Sequence, residues 1–351
     1  MARQMLDVVV VEREAVKAKG CVEDGRLLIA PSDLQPVIGW TLKPEGLCQE
    51  GSCVVLRDRE SIERDGLLDL ESICAQLRLA YRFDAQALTA AVAVDPLARS
   101  GALEGLQAPD FTLPDLDGKA QSWSQWDGHK RLLVTFSSWC GCRYDLPGWQ
   151  ALADDLADSG LVVICVALDQ DPEEVRPFVD GIRLPVLYDP HHLLAELYAI
   201  SNVPTVVWVD EGGMIVRPNG LIFGTDTFAD FTGVDSTPQL AAMARWARDG
   251  ELPLLAAEAK GAVADLSDIE LEARLAFKLG AQCLRDGKPE AARRNLEEAS
   301  RLAPFDFSVR RAAMPLLGKD PFGEEFLEVY DQWQAQGAPY HGVNLDSSNK
   351  A

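Results

Sequence analysis

Residues 131–147 read RLLVTFSSWCGCRYDLP. The run up to Phe136 is apolar enough and short enough for one buried parallel strand. Trp139, Cys140, Gly141, Cys142 and Arg143 follow, and then a helix-compatible segment interrupted at Pro147. Two thiols separated by one residue, at a strand-to-helix junction, stand where a helix N-terminus stabilises a thiolate. Arg143 adds a positive charge beside them that pushes the same way. A pair of small core residues would need none of this context. Strand, Trp-Cys, helix start and proline in that order favour a redox site.

The stretch resembles the redox site of the thioredoxin fold in the TlpA/ResA branch of thiol-disulfide oxidoreductases, whose pattern is Trp-Cys-x-x-Cys-Arg followed by a proline. This chain has one residue fewer between the cysteines. It is similar instead to a ResA-like subgroup with the pattern WAxxUGC, in which selenocysteine can stand where Cys140 stands; Phe136-Ser137 replaces the Trp-Ala. The resemblance spans about Ala108 to Asp235 and begins with the redoxin lead-in Ala108-Pro109-Asp110-Phe111-Thr112-Leu113. It implies a thioredoxin-like domain over 105–248, with Cys140 as nucleophile and Cys142 as resolving cysteine. Pro204, in Val203-Pro204-Thr205 at the head of a strand, falls where that fold carries a cis-proline packed against the active-site disulfide. A cis bond there turns the backbone of Val203 toward an incoming substrate strand.

Composition narrows the partners. The chain has 351 residues, with 55 acidic against 33 basic side chains and a net charge of -22. Such a balance argues against nucleic acid or an anionic membrane, both of which need neutralising cations. No apolar run approaches a membrane span. The opening MARQMLDVVVVERE reaches acidic residues too soon for a signal peptide, so the expectation is a cytoplasmic protein. In a reducing compartment the eight cysteines are not expected to form structural disulfides.

The length allows more than one domain. Residues 1–104 are expected to form a small α/β N-terminal domain without a motif that carries chemistry. Strands are predicted at Leu6 to Val11 and Arg26 to Ala30, a hairpin within residues 39–58, and helices at Leu68 to Ala80 and Phe83 to Val94. Cys48 and Cys53 flank the hairpin turn. They could approach as a second thiol pair or half a metal site, although two unpaired thiols is the plainer reading. His129, His191, His192 and His341 show no ligand-like spacing with them. Cys21, Cys74, Cys165 and Cys283 read as small core residues.

In the central domain, strands are predicted at Leu161 to Leu168, Val206 to Val209 and Met214 to Val216. Helices are predicted at Arg143 to about Ser159, Asp171 to Val179, His191 to Ala199 and Thr237 to Arg248. A linker over 249–267 follows. Residues 268–337 then form an all-helical region in which Leu279, Gly280, Ala292, Leu296, Ala299 and Pro304 resemble one tetratricopeptide repeat, with a degenerate second unit after it. One repeat cannot bury its own face, so it must lean on the redox domain or on another subunit, and protein contacts through this region are expected. Residues 338–351 read as a disordered tail.

A disulfide between residues i and i+2 closes a smaller ring than the usual spacing, with strained torsions. Strain raises the reduction potential, which favours oxidase, isomerase or peroxide-reducing roles over a strong reductase. A thiol peroxidase is the alternative, with Cys140 forming a sulfenic acid that Cys142 condenses with. The peroxiredoxin pattern Pro-x-x-x-Thr-x-x-Cys is absent, since Leu133 and Ser137 occupy its positions. Thioredoxin relatives keep a buried carboxylate behind the resolving cysteine; Val134 cannot serve, and Asp169 is the substitute acid/base. His129, Tyr144 and Arg217 are near without an assignable role. The partners implied are a protein or small-molecule disulfide or peroxide and a thiol reductant of the thioredoxin or glutathione type, with no cofactor. A non-enzymatic reading, soft-metal binding at Cys140/Cys142 or Cys48/Cys53, stays open beside these.

Overall fold

The computed structural model describes residues 4–49, 52–56 and 58–343. By internal contacts the chain divides into two units, Met1–Pro96 with Ser267–Ala303, and Leu97–Leu266 with Pro304–Ala351.

The first unit is built on a seven-stranded sheet. Its strands in chain order are β1 (Leu6–Val11), β2 (Ala15–Glu23), β3 (Arg26–Ile29), β4 (Thr41–Lys43), β5 (Gly46–Gln49), β6 (Ser52–Val54), β7 (Glu63–Arg64), β8 (Leu67–Asp69), β9 (Tyr81–Asp84) and β10 (Thr89–Val92). The large sheet runs β7-β8-β3-β2-β1-β10-β9, and β4-β5-β6 form a separate small sheet. Val8, Val10, Leu27 and Ile29 put one face of the large sheet into a core with Ile73 and Cys74 of the helix Leu70–Leu77. Asp69 caps that helix by accepting from the Ser72 N–H at 3.2 Å.

Two expectations fail in this unit. Residues 83–94 are not a helix but the hairpin β9–β10. Asp84 Oδ1 accepts from the Gln86 and Ala87 N–H groups at 3.0 and 2.9 Å and so turns the chain, while Thr89 to Val92 are buried throughout. A fully buried strand has no alternation, and periodicity cannot distinguish it from a buried helix. Cys48 and Cys53 are not unpaired thiols: they face each other in the β5–β6 register and form a disulfide, with Cα atoms 4.1 Å apart. The Glu50-Gly51 step between them lies outside the described residues.

The helices Asp268–Arg285 and Pro289–Leu302 form the repeat-like hairpin. Gly280 makes it close-packed: a Cβ there would sit 2.6 Å from Leu296 Cγ. This pair belongs to the first unit, not to a helical region of its own over 268–337. Its apolar face lies on β9 and β10, and Lys288 Nζ donates to the Ala87 carbonyl at 2.8 Å while Asn295 Nδ2 donates to Asp84 at 2.9 Å. The pair buries its face, as the sequence required, but on the sheet of its own unit in place of the redox domain or another subunit.

The second unit holds β11 (Thr112–Pro114), β12 (Ala120–Ser122), β13 (Lys130–Phe136), β14 (Leu161–Ala167), β15 (Val186–Tyr188), β16 (Val206–Val209) and β17 (Ile215–Gly220). The last five form a sheet in the order β15-β14-β13-β16-β17. β13–β14 and β14–β15 pair parallel, β13–β16 and β16–β17 antiparallel, which is a thioredoxin-like arrangement. β13 and β14 are buried along almost their whole length, as their unbroken apolar runs require. Helices Leu146–Asp155 and Thr237–Asp249 flank the sheet, and the expected linker contains the helix Ala256–Ala262.

Residues after Pro304 fold onto this unit instead of continuing a repeat. Phe307 N–H donates to the Ser201 carbonyl at 2.8 Å and Ser308 Oγ to the Ile200 carbonyl at 2.9 Å. The helix Glu324–Ala335 follows. The expected disordered tail is ordered as far as Val343: Val343 N–H donates to the Asn219 carbonyl at 2.8 Å, and the Tyr340 hydroxyl lies 2.8 Å from Thr205 Oγ1. Residues 344–351 lie outside the described residues. Among the described residues no helix is long and apolar enough to cross a membrane.

Candidate active site around Cys140 and Cys142

Strand β13 delivers the site. It ends at Phe136, and the chain passes through Ser137, Ser138 and Trp139 to Cys140, the N-cap of a 3-10 turn Gly141–Asp145 that runs into the helix Leu146–Asp155. The α-helix thus begins at Leu146 and not at Arg143. Cys140 nevertheless holds the capping position: its sulfur accepts the Cys142 N–H at 3.3 Å. A cap that accepts hydrogen bonds at a helix start is a favourable seat for a thiolate.

The two sulfurs share a hydrogen bond, and the consequences for each are opposite. Burial raises the Cys140 thiol, but the Cys142 thiol, the Arg311 guanidinium and the Cys142 N–H together bring it below the ordinary thiol value. Burial likewise raises Cys142, and the hydrogen bond to Cys140, its charge and Asp145 hold it well above that value. The two sulfurs therefore differ in acidity, Cys140 the more acidic and Cys142 the less.

The loop before β16 closes the other side. The Val203–Pro204 peptide is cis, as the resemblance implies. Thr205 N–H donates to Thr135 Oγ1 at 2.8 Å and Thr135 N–H to the Thr205 carbonyl at 2.9 Å, which ties this loop to β13. Cys140 Sγ then lies 3.3 Å from the Val203 carbonyl and donates to it. The Val203 N–H is also committed, to Asn202 Oδ1 at 2.7 Å. An open backbone edge for a substrate strand, as the sequence suggested, is not what stands here.

The remaining sequence-predicted residues take positions around this centre. Trp139 is buried, its indole N–H donating to the Leu168 carbonyl at 3.3 Å. Arg143 does not supply the charge felt by Cys140. Its guanidinium donates to the Ser138 carbonyl and lies among the rings of Tyr144, Phe178 and Phe322 at 4.7–4.8 Å. Asp169 is fully buried and raised to about 6 by burial, against hydrogen bonds from Ser138. Its carboxylate accepts the Ser138 N–H at 3.0 Å, so it fixes the loop leading to Cys140. Arg217 is buried over Trp208 and brought down to about 10 by desolvation. Cys48 and Cys53 belong to the first unit.

Two residues whose charges bear on the thiol pair were missed. Asp145 is the carboxylate whose charge bears on both cysteines. Burial raises it to about 6 although Thr225 N–H and Oγ1 donate to its Oδ1 at 3.1 and 2.5 Å. Its Oδ2 is buried with no hydrogen-bond partner. Gly148 permits the approach, because a Cβ there would come within 2.1 Å of the Gly224 carbonyl oxygen. The position three residues after Cys142 was the available signal, since it brings a side chain back over the turn that holds the sulfur. Arg311 had no such signal, being 169 residues from Cys142.

Cys140, Gly141 and Cys142 open onto a cavity of about 370 Å³ within this unit. Its walls are mainly aromatic, from Phe223 and Phe228 on one side and Phe307, Phe326 and Trp333 on the other. Among the described residues no group of three or more His, Cys, Asp or Glu side chains converges as a metal site.

Over its second unit the chain is similar to known proteins. Residues 105–218 match the AhpC/TSA family. Over 121 residues, 33% of this chain and 70% of the relative, the sequence is 35% identical to the thioredoxin-like protein YneN of Bacillus subtilis. Over 122 residues, 34% of this chain and 69% of the relative, it is 29% identical to the thiol-disulfide oxidoreductase ResA of Halalkalibacterium halodurans. The solution structure of a thiol:disulfide interchange protein from a Bacteroides species aligns at 24% identity with a TM-score of 0.31, over 37% of this chain and 91% of that one. Through its second unit the chain belongs to the thioredoxin-like thiol-disulfide oxidoreductases of the AhpC/TSA family.

Proposed function

We propose that the enzyme carries out thiol-disulfide exchange through Cys140 and Cys142, Cys140 attacking and Cys142 resolving. The observation that carries this reading is the asymmetry of the pair: a hydrogen-bonded dithiol in which Cys140 is the more acidic sulfur and Cys142 the less acidic. In the reduced enzyme the Cys140 thiolate attacks one sulfur of a substrate disulfide and releases the other as a thiolate. Cys142 then gives up its proton and attacks Cys140 Sγ, releasing the second substrate thiolate and leaving an enzyme disulfide. Two electrons pass from the dithiol to the substrate, and a thiol reductant of the thioredoxin or glutathione class returns them. Asp145, held near neutrality in pKa and with a free Oδ2, is suited to accept the Cys142 proton in the second step.

Replacement of Cys142 by Ser should trap the mixed disulfide on Cys140, visible by mass spectrometry, while Cys140→Ser should abolish turnover. Retained turnover without Cys140 sinks the assignment. A thiol peroxidase reading draws on the same acidic Cys140 in a cavity in place of an open groove; stopped-flow oxidation of the reduced protein by hydrogen peroxide separates the two. Cytoplasmic placement remains part of this proposal, and cell fractionation that finds the chain outside the cytoplasm removes it.

A further inference from the structure

The Cys140/Cys142 pair is buried and does not face open solvent. The segment after Pro304 is fixed beside the Ser201 to Thr205 loop by the hydrogen bonds described above, and it contributes Phe307, Phe326, Tyr330 and Trp333 to the cavity wall. These rings pack on one another, Phe307 against Trp333 at 5.4 Å and Tyr330 against Trp333 at 5.4 Å, so the wall is an aromatic cluster and not a set of independent side chains. A volume of about 370 Å³ sits near the lower end of small-molecule pockets, roughly 300–1,000 Å³.

One charged side chain lines it. Arg311 stacks on Phe326 at 3.6 Å and Phe322 at 5.1 Å and donates from Nε to the Pro321 carbonyl at 3.0 Å. Among the described residues it has no carboxylate partner, since Glu325 of the same segment pairs with Arg310 and Lys319 at 2.9 Å each. No acidic residue lines the cavity. A guanidinium placed in an aromatic wall with no carboxylate partner, its charge facing the Cys140 sulfur, is suited to an anion held by charge-assisted hydrogen bonds.

Resting on the exchange chemistry proposed above, we infer that the substrate is a small aromatic or otherwise apolar disulfide bearing an anionic group, its apolar part in the ring-lined cavity, its anion on Arg311 and one sulfur against Cys140. The committed N–H of Val203 argues in the same direction, because an extended protein strand would have to displace its hydrogen bond to Asn202 Oδ1. The electrons balance as before: two leave the Cys140/Cys142 dithiol, the substrate S–S bond breaks into two thiolates, and the enzyme disulfide forms.

The experiment uses the full chain, reduced with dithiothreitol and desalted, in single turnover against two chromogenic probes. Dithiobis-nitrobenzoate is aromatic and anionic; dithiodipyridine is aromatic and neutral. The Cys140→Ser chain subtracts the other thiols, and each rate is divided by that of free mercaptoethanol with the same probe. The anionic probe should be preferred, and Arg311→Gln should lower the preference ratio about tenfold, the worth of a hydrogen bond to a charged group. Arg311→Lys should restore most of it. Loss of thiolate stabilisation slows both probes alike and leaves the ratio unchanged, so an unchanged ratio overturns the inference. Reduction of insulin disulfides faster than either probe also overturns it, while leaving Cys140 exchange intact. If no disulfide is reduced above the Cys140→Ser background, the exchange reading itself falls. A second measurement needs no variant at Arg311: nitrobenzoate should protect Cys140 from dithiodipyridine and nitrobenzene should not, and equal protection by both counts against the assignment.

Discussion

Replacing Asp145 by Asn tests what a buried carboxylate costs beside the thiol pair. Burial raises this group to about 6 in the folded chain. An unperturbed aspartate titrates near about 3.9, so the shift is about two units, roughly 3 kcal/mol at about 1.36 kcal/mol per unit. The folded value lies above the unfolded one, so between about pH 4 and about pH 6 the folded state binds more protons. Stability therefore falls as pH rises through that window and levels off above it. Asn keeps a carbonyl for the Thr225 donors and carries no charge, so the variant should lack this part of the fall. Its new amide donors lie where Oδ2 has no partner, which makes absolute stability a poor readout. The difference between two pH values removes that offset. Denaturant unfolding at about pH 4 and about pH 8, followed by tryptophan fluorescence, should show the wild type losing roughly 3 kcal/mol more than the variant. Seven of the eight tryptophans lie in the second unit, so the signal reports the right part of the chain. Asp169, also raised to about 6, is present in both proteins and cancels. Parallel losses in the two proteins refute the buried-carboxylate account. In the same variant, resolution of the Cys140 mixed disulfide should slow, because the acceptor for the Cys142 proton is gone.

Thiolate absorbance in the ultraviolet should place the Cys140 transition below the ordinary thiol value of about 8.5, and Cys142→Ala should move it upward by removing a donor; a transition that ignores Cys142 contradicts the shared hydrogen bond. The short ring of a disulfide spaced i to i+2 should give a potential more oxidising than the approximately -270 mV of thioredoxin, measured against a glutathione redox buffer, and a value as low as thioredoxin's removes that argument. In the first unit, Gly280→Ala should destabilise by about 1–3 kcal/mol through overpacking against Leu296, read by thermal unfolding; an unchanged midpoint means the helix pair relaxes freely.

The sequence by itself determined the local chemistry. The apolar run of β13, the Trp-Cys-Gly-Cys-Arg turn and the X-Pro before β16 are contiguous signals, each readable in a window of a few residues, and they located Cys140, Cys142 and Pro204. It required a lone helical hairpin to bury its face but looked for the cover in the redox domain or another subunit, whereas β9 and β10 provide it. Tertiary structure decided everything that depends on distant segments meeting. Strand β10 reads like a helix because it is buried throughout, and that covering is itself tertiary. Cys48 and Cys53 became a disulfide through strand register. Arg143, adjacent in sequence, spends its charge on a carbonyl and three rings, while Arg311 from the far end of the chain bears on the thiolate. A charge acts through the few ångströms that separate it from its target, and those are fixed by packing, not by position along the chain.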